Sequence, residues 1–593
     1  MEKWIVHMKK ADFAAWSARF HISPVTARII RNRGIEETED VERFLRGSLE
    51  DCPSPFLLKD MERAVNLIPE AIGAGKKLRV IGDYDVDGIC SSYILTKGLS
   101  LLGALVDTAI PHRIHDGYGL NEHLIEAAAE DGVEMIVTCD NGIAAAEQIA
   151  LAAEKGIPVI VTDHHEVPFR EVTAQDGQVR REERLPPAAA VIDPKQEQCR
   201  YPFPGICGAV VAFKLMQALQ ERTGSSALQN AMDEFLEFAA IATVCDVMEL
   251  KQENRILVKE GLKRLANSHN PGLRALMEVN EIDPGKVNGY QIGFVLGPCL
   301  NATGRLDTAQ KALELLQTTS REKAIRLARE LKQLNDTRKQ LTLEGIEEAL
   351  NYIAEHCMDQ DRVLVLYLPR VHESLAGIIA GRIREHYYKP VFVLTKAEQG
   401  VKGSGRSIEE YHMYRALNQV EELLDRYGGH AMAAGLSLSE DKVETLRRRL
   451  NENCQLTEED LREKVTIDVP MPMDYAGMKA VVDDLEVLEP FGVGNPKPLF
   501  AQKDLRFIRA VRLGANRNFA RFTAITPDGN RVQMIYFGNL EKFQEYLAEK
   551  YGPDSMENLY AGKGDYLLSV VYQPGKHVYQ GLEEIEFRLQ YYC

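Results

Sequence analysis

VIGDYDVDG (Val80–Gly88) is an apolar stretch that breaks into alternating carboxylates. Three more segments repeat the design: MIVTCDNG (Met135–Gly142), VIVTDHHE (Val159–Glu166) and TVCDVMEL (Thr243–Leu250). Each reads as a buried strand that ends abruptly in Asp or His. An apolar strand does not carry charge at its tip without cause, because an unpaired buried carboxylate is costly. Six Asp and two His converging on one sheet edge would repel one another. A cation relieves that repulsion, and hard divalent ions take such oxygen and imidazole ligands. The pattern points to a metal-dependent enzyme.

Outward from these segments, residues 75–195 alternate strand and helix. LRVIGDYD, MIVTCD, PVIVTDHH and AAVIDP are strands; SSYILTKGLSLLG and IAAAEQIALAAEKG are helices that each close on Gly. Continuous apolar strands between helices imply a parallel sheet covered on both faces, with ligands at the carboxyl ends of the strands. Residues 322–356 keep a helical period without Pro, which predicts one helix of roughly 50 Å joining two α/β regions. Residues 360–460 return to α/β and hold two Gly-rich segments, VKGSGRS and YGGHAMAAGLSL. From about 465, short alternating strands and the hairpin signal Asp528-Gly529 predict a small β-barrel of the oligonucleotide-binding kind. RGIEETEDVERFLRG belongs to a helical preface before residue 60.

The bulk numbers bound the reading. At 593 residues the chain is too long for one core. No run approaches 18 apolar residues, and the N-terminus lacks the pattern of a secretory signal, so a cytoplasmic protein without a membrane span is expected. Ten scattered Cys, none in CxxC, read as reduced thiols. The net charge of −17 argues against nucleic acid only when averaged over the chain. Between Lys503 and Arg531 seven basic residues face two acidic ones, a local excess of +5, interleaved with Phe507, Phe519 and Phe522. Such a patch suits single strands, while a solvated strand face is the plain alternative.

Residue by residue, Asp83, Asp85 and Asp87 alternate past a strand and crowd one spot. Capping the next helix would need one Asp, not three. Asp140 leads the turn Asn141-Gly142, where an N-cap is the competing role. His164 and His165 project differently, so one can bind metal while the other acts on substrate or supports the site. Asp246, in apolar surroundings at a strand or helix end, needs a partner.

GDYDVDG, CDNG, DHH and Asp246 resemble the four motifs of the DHH phosphoesterase superfamily, and YGGHAMAAG resembles the GGH motif of its associated second domain. With PHRIHDGYGL, GPCLNATGRLD, KGSGRS, LEPFGVGNPKP and the terminal barrel, the arrangement is similar to the RecJ single-strand-specific exonucleases over essentially the whole chain. The resemblance implies an α/β architecture: a preface at 1–60, a DHH domain at 61–320, a connector helix at 321–356, a DHH-associated clamp domain at 357–460 and an OB-like barrel at 461–593. It implies two divalent cations, Mn2+ or Mg2+. Asp83 and Asp85 would serve one ion, Asp87, His164 and Asp246 the other, and Asp140 would bridge them. His165 would lie beside the scissile phosphate, so Asp140, His164 and His165 form the catalytic group. Arg305, Ser404, Arg406, Gly428, Gly429 and His430 would grip the 5′ end of the strand, the Gly-rich turns as anion-binding concavities and Arg406 as a bidentate donor. The implied reaction is 5′-to-3′ degradation of single-stranded DNA to mononucleotides in recombination and repair, by water attack that the ions activate. The implied state is a monomer, with a single-strand-binding protein and a helicase as partners. The competing readings are a small-substrate phosphodiesterase, acting on short oligonucleotides or cyclic dinucleotides, and a non-enzymatic relative with eroded ligands. The intact ligand set speaks against the last.

Overall fold

The structure is a computed structural model that describes residues 2–593 except 114–115, 118, 174–178, 398–399, 515 and 580–581. PHRIHDGYGL therefore lies partly outside the described residues. The chain forms two compact units: residues 51–249 with 253–462, and residues 1–50 with 250–252 and 463–593.

The larger unit opens on a five-stranded sheet: β1 (Lys77–Ile81), β2 (Leu105–Ala109), β3 (Met135–Cys139), β4 (Val159–Thr162) and β5 (Ala190–Ile192). Every pairing is parallel, and the order is β2-β1-β3-β4-β5. All five residues of β3 and all four of β4 are buried, as a sheet covered on both faces requires. In this order the connections leaving β1 and β3 diverge, and a crevice opens beyond their carboxyl ends. GDYDVDG follows β1 and CDNG follows β3. Strand β2 and an antiparallel hairpin (Phe169–Thr173 with Val179–Glu183) add to the four strands expected from sequence.

Helix α1 (Val86–Leu101) leaves β1; α2 (Gly208–Thr223) and α3 (Ser226–Cys245) follow the sheet. Further on, α4 (Gly297–Leu306) leads to α5 (Arg321–Glu355), an unbroken 35-residue helix, the connector expected from its periodicity. A mixed sheet comes next: β6 (Leu364–Tyr367), helix α6 (Ala376–Tyr387), then β7 (Val391–Lys396), β8 (Val401–Arg406), β9 (Arg426–Gly429) and β10 (Ala433–Leu438), in the order β9-β10-β8-β7-β6. VKGSGRS forms a strand of this sheet and not the turn expected, while YGGHAMAAGLSL forms two strands, β9 and β10, joined by a turn at 430–432. Strand β8 pairs on both sides, and its glycines admit neighbouring side chains such as Leu394 and Phe392 where a Cβ would stand.

The smaller unit is built on a closed barrel of β11 (Phe500–Leu513), β12 (Phe519–Ile525), β13 (Arg531–Tyr536), β14 (Tyr566–Tyr579) and β15 (Leu582–Tyr592). The order is β11-β12-β13-β15-β14, and β14 pairs back onto β11. The Asp528-Gly529 turn joins β12 to β13, with Gly529 at φ +89°. The preface is not helical throughout: Lys3–Val6 pairs in parallel with Lys464–Ile467. Its helices share one core with the barrel, in which Phe20, Ile29 and Ile30 pack with Phe507, Phe522 and Phe543. No helix among the described residues is long and apolar enough to cross a membrane.

Candidate active site

The loops after β1, β3 and β4 and the end of α3 deliver the acidic groups. Asp85 is the N-cap of α1, its Oδ1 accepting the N–H of Gly88 at 3.1 Å. Capping leaves its second oxygen available, so both roles considered for GDYDVDG coexist. Asp87 projects from the first turn of α1 and is buried. Its Oδ2 accepts the N–H of Gly208 at 2.6 Å and its Oδ1 that of Ala209 at 2.7 Å, at the positive end of α2. Gly208 permits this approach: a Cβ there would lie 2.8 Å from the Asp140 Cβ and 3.0 Å from Asp87 Oδ2.

Asp140 is buried with a left-handed backbone, φ 58°. A non-glycine residue persists there only where its surroundings over-determine it. Its N–H donates to the Thr162 carbonyl at 3.1 Å. Asn141 Nδ2 donates to the carbonyls of Ile81 and Cys139 at 3.2 and 2.9 Å, which ties the β3 loop to the end of β1. The Ile143 N–H donates to Asp163 Oδ2 at 2.9 Å, which ties it to the β4 loop.

His164 is buried, and its Nε2 lies 3.1 Å from Asp140 Oδ1, 3.5 Å from Asp87 Oδ2 and 3.7 Å from Asp246 Oδ2. His165 points differently; its Nδ1 lies 2.7 Å from Asp163 Oδ1. Asp246 stands at the C-cap of α3, so the fourth segment ends a helix and not a strand. TVC is too short for its β-branched residues to outweigh the helical FLEFAAIA before it.

Three groups of potential ligand atoms each lie within 4.8 Å: Asp83, Asp85 and Asp140; Asp87, His164 and Asp246; Asp140, His164 and His165. Asp140 belongs to two of them. Without a cation the carboxylates crowd. Burial, with repulsion from Asp85, pushes Asp83 up to about 8. Burial, with Asp87 and Asp85, pushes Asp246 up to about 8. Burial raises Asp140 well above the carboxylate range, helped by Asp87, Asp85 and Asp83. Burial lowers His164. His165 moves the other way: burial lowers it, but the hydrogen bond to Asp163 and the charges of Asp163, Asp246 and Asp87 together outweigh burial and hold it up at about 9. Buried Asp83 Oδ2 and His164 Nδ1 have no hydrogen-bond partner among the described residues. This oxygen-rich, partly unsatisfied donor set fits hard divalent ions.

A second charge cluster adjoins the first. Arg305, near the end of α4, donates from Nη1 to the Ser374 carbonyl at 2.7 Å. Burial, with repulsion from Arg113, Arg338 and Arg406, pushes it down to about 10. Arg406 donates from Nη1 to Ser404 Oγ at 3.1 Å, and Gly377 leaves room for both side chains. The Arg113 guanidinium stacks 4.8 Å above the Tyr84 ring. A cavity of about 200 Å³ is lined by Tyr84, Arg113, Ser374, Lys402 and Ser404. Clustered guanidiniums with like-charge repulsion make a site for an anion, as clustered carboxylates make one for a cation.

Gly428 lies in register with Gly435, and Gly435 with Ser404, so the three form one row across adjacent strands. A Cβ on Gly428 would meet nothing within 4 Å, which leaves a bare floor beside Ser404. Ser404 and Gly428 are two strands apart, about 10 Å. Gly429 (φ +141°) and His430 lead into the turn to β10, where the His430 N–H donates to Ala433 at 2.8 Å. Asn301 Oδ1 accepts the Val86 N–H at 3.1 Å, beside the Asp85 loop. Arg113, Asp163, Gly208 and Asn301 are site residues that the sequence reading does not name; all but Gly208 lie in or beside segments singled out from sequence.

On the barrel, Arg506, Arg509, Arg512, Arg521 and Arg531 are exposed. Phe507 and Phe522, expected to stack on bases, are instead fully buried in the barrel core. Phe519 stays half-buried and packs on exposed Phe537 at 5.0 Å between ring centroids.

Three family models match the chain: the DHH family N-terminal domain at residues 77–243, the DHHA1 domain at 360–456 and the RecJ OB domain at 467–591. The single-stranded-DNA-specific exonuclease RecJ of Bacillus subtilis is 35% identical over 544 residues, which cover 91% of this chain and 66% of that protein. The protein of the same name from Haemophilus influenzae is 34% identical, over 84% of this chain and 86% of its own length. A crystal structure of RecJ from Thermus thermophilus in complex with Mn2+ superposes with a TM-score of 0.80 at 30% identity, over 100% of this chain and 79% of that one. With these domains in this order, the chain belongs to the RecJ family of single-stranded-DNA-specific exonucleases.

Proposed function

We propose that the chain is a metal-dependent exonuclease that degrades single-stranded DNA from the 5′ end to mononucleotides, in DNA recombination and repair. One observation carries this reading: a carboxylate–histidine cluster centred on Asp140 adjoins a guanidinium cluster centred on Arg305. A phosphodiester near a strand end needs both, one to hydrolyse it and one to hold the terminal phosphate.

Asp83 and Asp85 would hold one divalent ion, Mn2+ or Mg2+; Asp87, His164 and Asp246 would hold the other, and Asp140 stands in reach of both groups. When bound, two such ions lower the pKa of a water and hold the attacking and leaving oxygens of the phosphodiester. The residues around them orient and exclude. Asp87 is fixed by the first turn of α2. His165, oriented through Nδ1 by Asp163, lies beside the scissile phosphate. Arg305, Arg406 and Ser404 bind the 5′ phosphate, while Gly428, Gly429 and His430 form the floor beside it. The exposed arginines of the barrel track the backbone of the strand.

A cytoplasmic monomer working with a single-strand-binding protein and a helicase fits this activity. Ten unpaired cysteines are consistent with a reducing compartment. The test is nuclease activity with Mn2+. Asp140→Ala should abolish it while leaving the melting transition cooperative; an active Asp140→Ala protein would refute the assignment.

A further inference from the structure

One carboxylate lines a pocket otherwise suited to anions. The cavity of about 200 Å³ beside the guanidinium cluster is walled by Tyr84, Arg113, Glu373, Thr395, Lys402 and Ser404, among others. Glu373 opens the short 3-10 turn Glu373–Leu375 that leads into α6. Its side chain is 20% exposed, and its Oε2 lies 3.1 Å from Lys402 Nζ. An acidic group near a helix N-terminus is stabilising, but a position turned to solvent would serve that purpose equally. A carboxylate beside bound phosphate works against the complex, because like charges disfavour each other. No step of the hydrolysis uses it.

Charge is shared out unevenly along this pocket. Arg305 is fixed to the Ser374 carbonyl at 2.7 Å, and Arg406 to Ser404 Oγ at 3.1 Å. Their two positive charges match one phosphate monoester, which carries about −1.5 to −2 at neutral pH. Lys402, Ser404 and Arg406 alternate along β8 and so share one face. Lys402 stands about 7 Å along the strand from Ser404, in register with Thr395 of β7. At that point the free positive charge runs out. Lys402 is paired with Glu373, and Arg113 is drawn over the Tyr84 ring at 4.8 Å. Space does not run out: roughly 10–15 Å³ holds one water, so about 200 Å³ leaves room past a single phosphate group. Charge, and not bulk, limits the phosphate chain that this end accepts.

We infer that Glu373 sets the specificity of the 5′ pocket: it admits a strand end bearing one phosphate and repels an end bearing two or three. The inference rests on the assignment of Arg305, Arg406 and Ser404 to the 5′ phosphate, and adds to it what that pocket refuses. The further phosphates of a longer end would extend from Ser404 towards the Lys402–Glu373 pair. To neutralise them, Lys402 must leave Glu373, and the carboxylate then faces phosphate oxygens without its counter-ion. Repulsion placed in a site discriminates between ligands as attraction does. Ends left by phosphodiester cleavage with the phosphate on the 5′ side pass. Chains that keep the triphosphate of their first nucleotide are refused. A strand-cleaving reaction, and not strand initiation, therefore supplies the substrate directly.

The test uses the full chain, Mn2+, and one single-stranded DNA sequence made with a 5′-hydroxyl, a 5′-monophosphate or a 5′-triphosphate. For the wild type, kcat/KM on the monophosphate strand should exceed that on the triphosphate strand by about tenfold, mostly through KM. Glu373→Gln keeps the size and removes the charge, and should bring that ratio close to one. Lys402→Met strips the carboxylate of its counter-ion and should widen the ratio beyond the wild-type value. Opposite shifts separate specificity from a loosened fold, which would lower all three strands alike; the monophosphate strand reports that each variant is folded. A wild type that cleaves monophosphate and triphosphate strands equally would overturn the role of Glu373. So would an unchanged ratio in Glu373→Gln, or a narrowed one in Lys402→Met. A wild type that does not distinguish the monophosphate from the hydroxyl end would instead sink the 5′-phosphate reading of the pocket, and the role of Glu373 with it.

Discussion

Asp163 Oδ1 accepts the Nδ1–H of His165 at 2.7 Å, and the same oxygen accepts the backbone N–H of His164 at 2.7 Å. Asp163 therefore orients both histidines without joining any of the three ligand groups. Burial alone would raise its pKa, but the bond from His165, the charge of that imidazole and the Ile143 N–H together hold it below the usual carboxylate range. Asp163→Asn keeps the size and removes the charge. Turnover should fall by about 10- to 100-fold, as when outer partners of ligands are lost, with KM little changed. Single-turnover rates on a 5′-labelled strand would measure this; an unchanged rate would show that the His165 orientation is set elsewhere.

Metal affinity should depend on pH. In the ion-free chain Asp83 and Asp246 titrate at about 8. Below that pH they carry protons that an incoming ion must displace, so affinity rises as pH climbs towards 8 and then levels. Calorimetry with Mn2+ at pH 6.5, in two buffers of different ionisation enthalpy, should register proton release. Equal affinity at pH 6.5 and 8.5, with no protons released, would contradict the crowded-carboxylate picture.

Gly208 is the closest backbone approach between α2 and the site. Its missing Cβ would stand 2.8 Å from that of Asp140. Gly208→Ala should destabilise the fold by about 1–3 kcal/mol through overpacking. By shifting Asp140 and Asp87 it should also reduce turnover about 100-fold. Denaturant melts and initial rates at saturating Mn2+ separate the two effects, and full activity would show that the loop yields freely.

Away from the site, Glu237 is buried and accepts a hydrogen bond from Ser268 Oγ at 2.5 Å. Burial, with repulsion from Glu234 and Asp233, moves it from 4.5 to about 7. Between those values the folded chain keeps a proton that the unfolded chain has released, so this group costs stability as pH rises through that window. Glu237→Gln should melt on the order of 2 °C above wild type at pH 8 and level with it at pH 4. Scanning calorimetry would check this; a lower melting point at pH 8 would mean that the carboxylate is needed charged.

Much of the architecture was legible because buried strands and long helices write clear periods. The alternation around Asp83, Asp140 and His164 marked strand ends, and the run from Leu327 to Ile353 marked one helix. Where the reading failed, a competing constraint had the same signature. TVCD ends a helix because three β-branched or small residues cannot outweigh an apolar helix before them. KGSGR and YGG looked like turns, yet glycine also serves strands that neighbouring side chains overlie. Phe507 and Phe522 alternate with arginines because a barrel strand buries every second residue; Arg506 and Arg521 point out where the rings point in. The role of Asp163 was hidden because a carboxylate beside two histidines reads as a ligand or a cap, and only geometry shows which atom faces which.

End-labelled single and double strands incubated with Mn2+ put the whole arrangement to the test at once. Labelled mononucleotide should appear first from the 5′ end of single strands, with duplex left intact. Release from the 3′ end would contradict the assignment of Arg305, Ser404 and Arg406 to the 5′ phosphate.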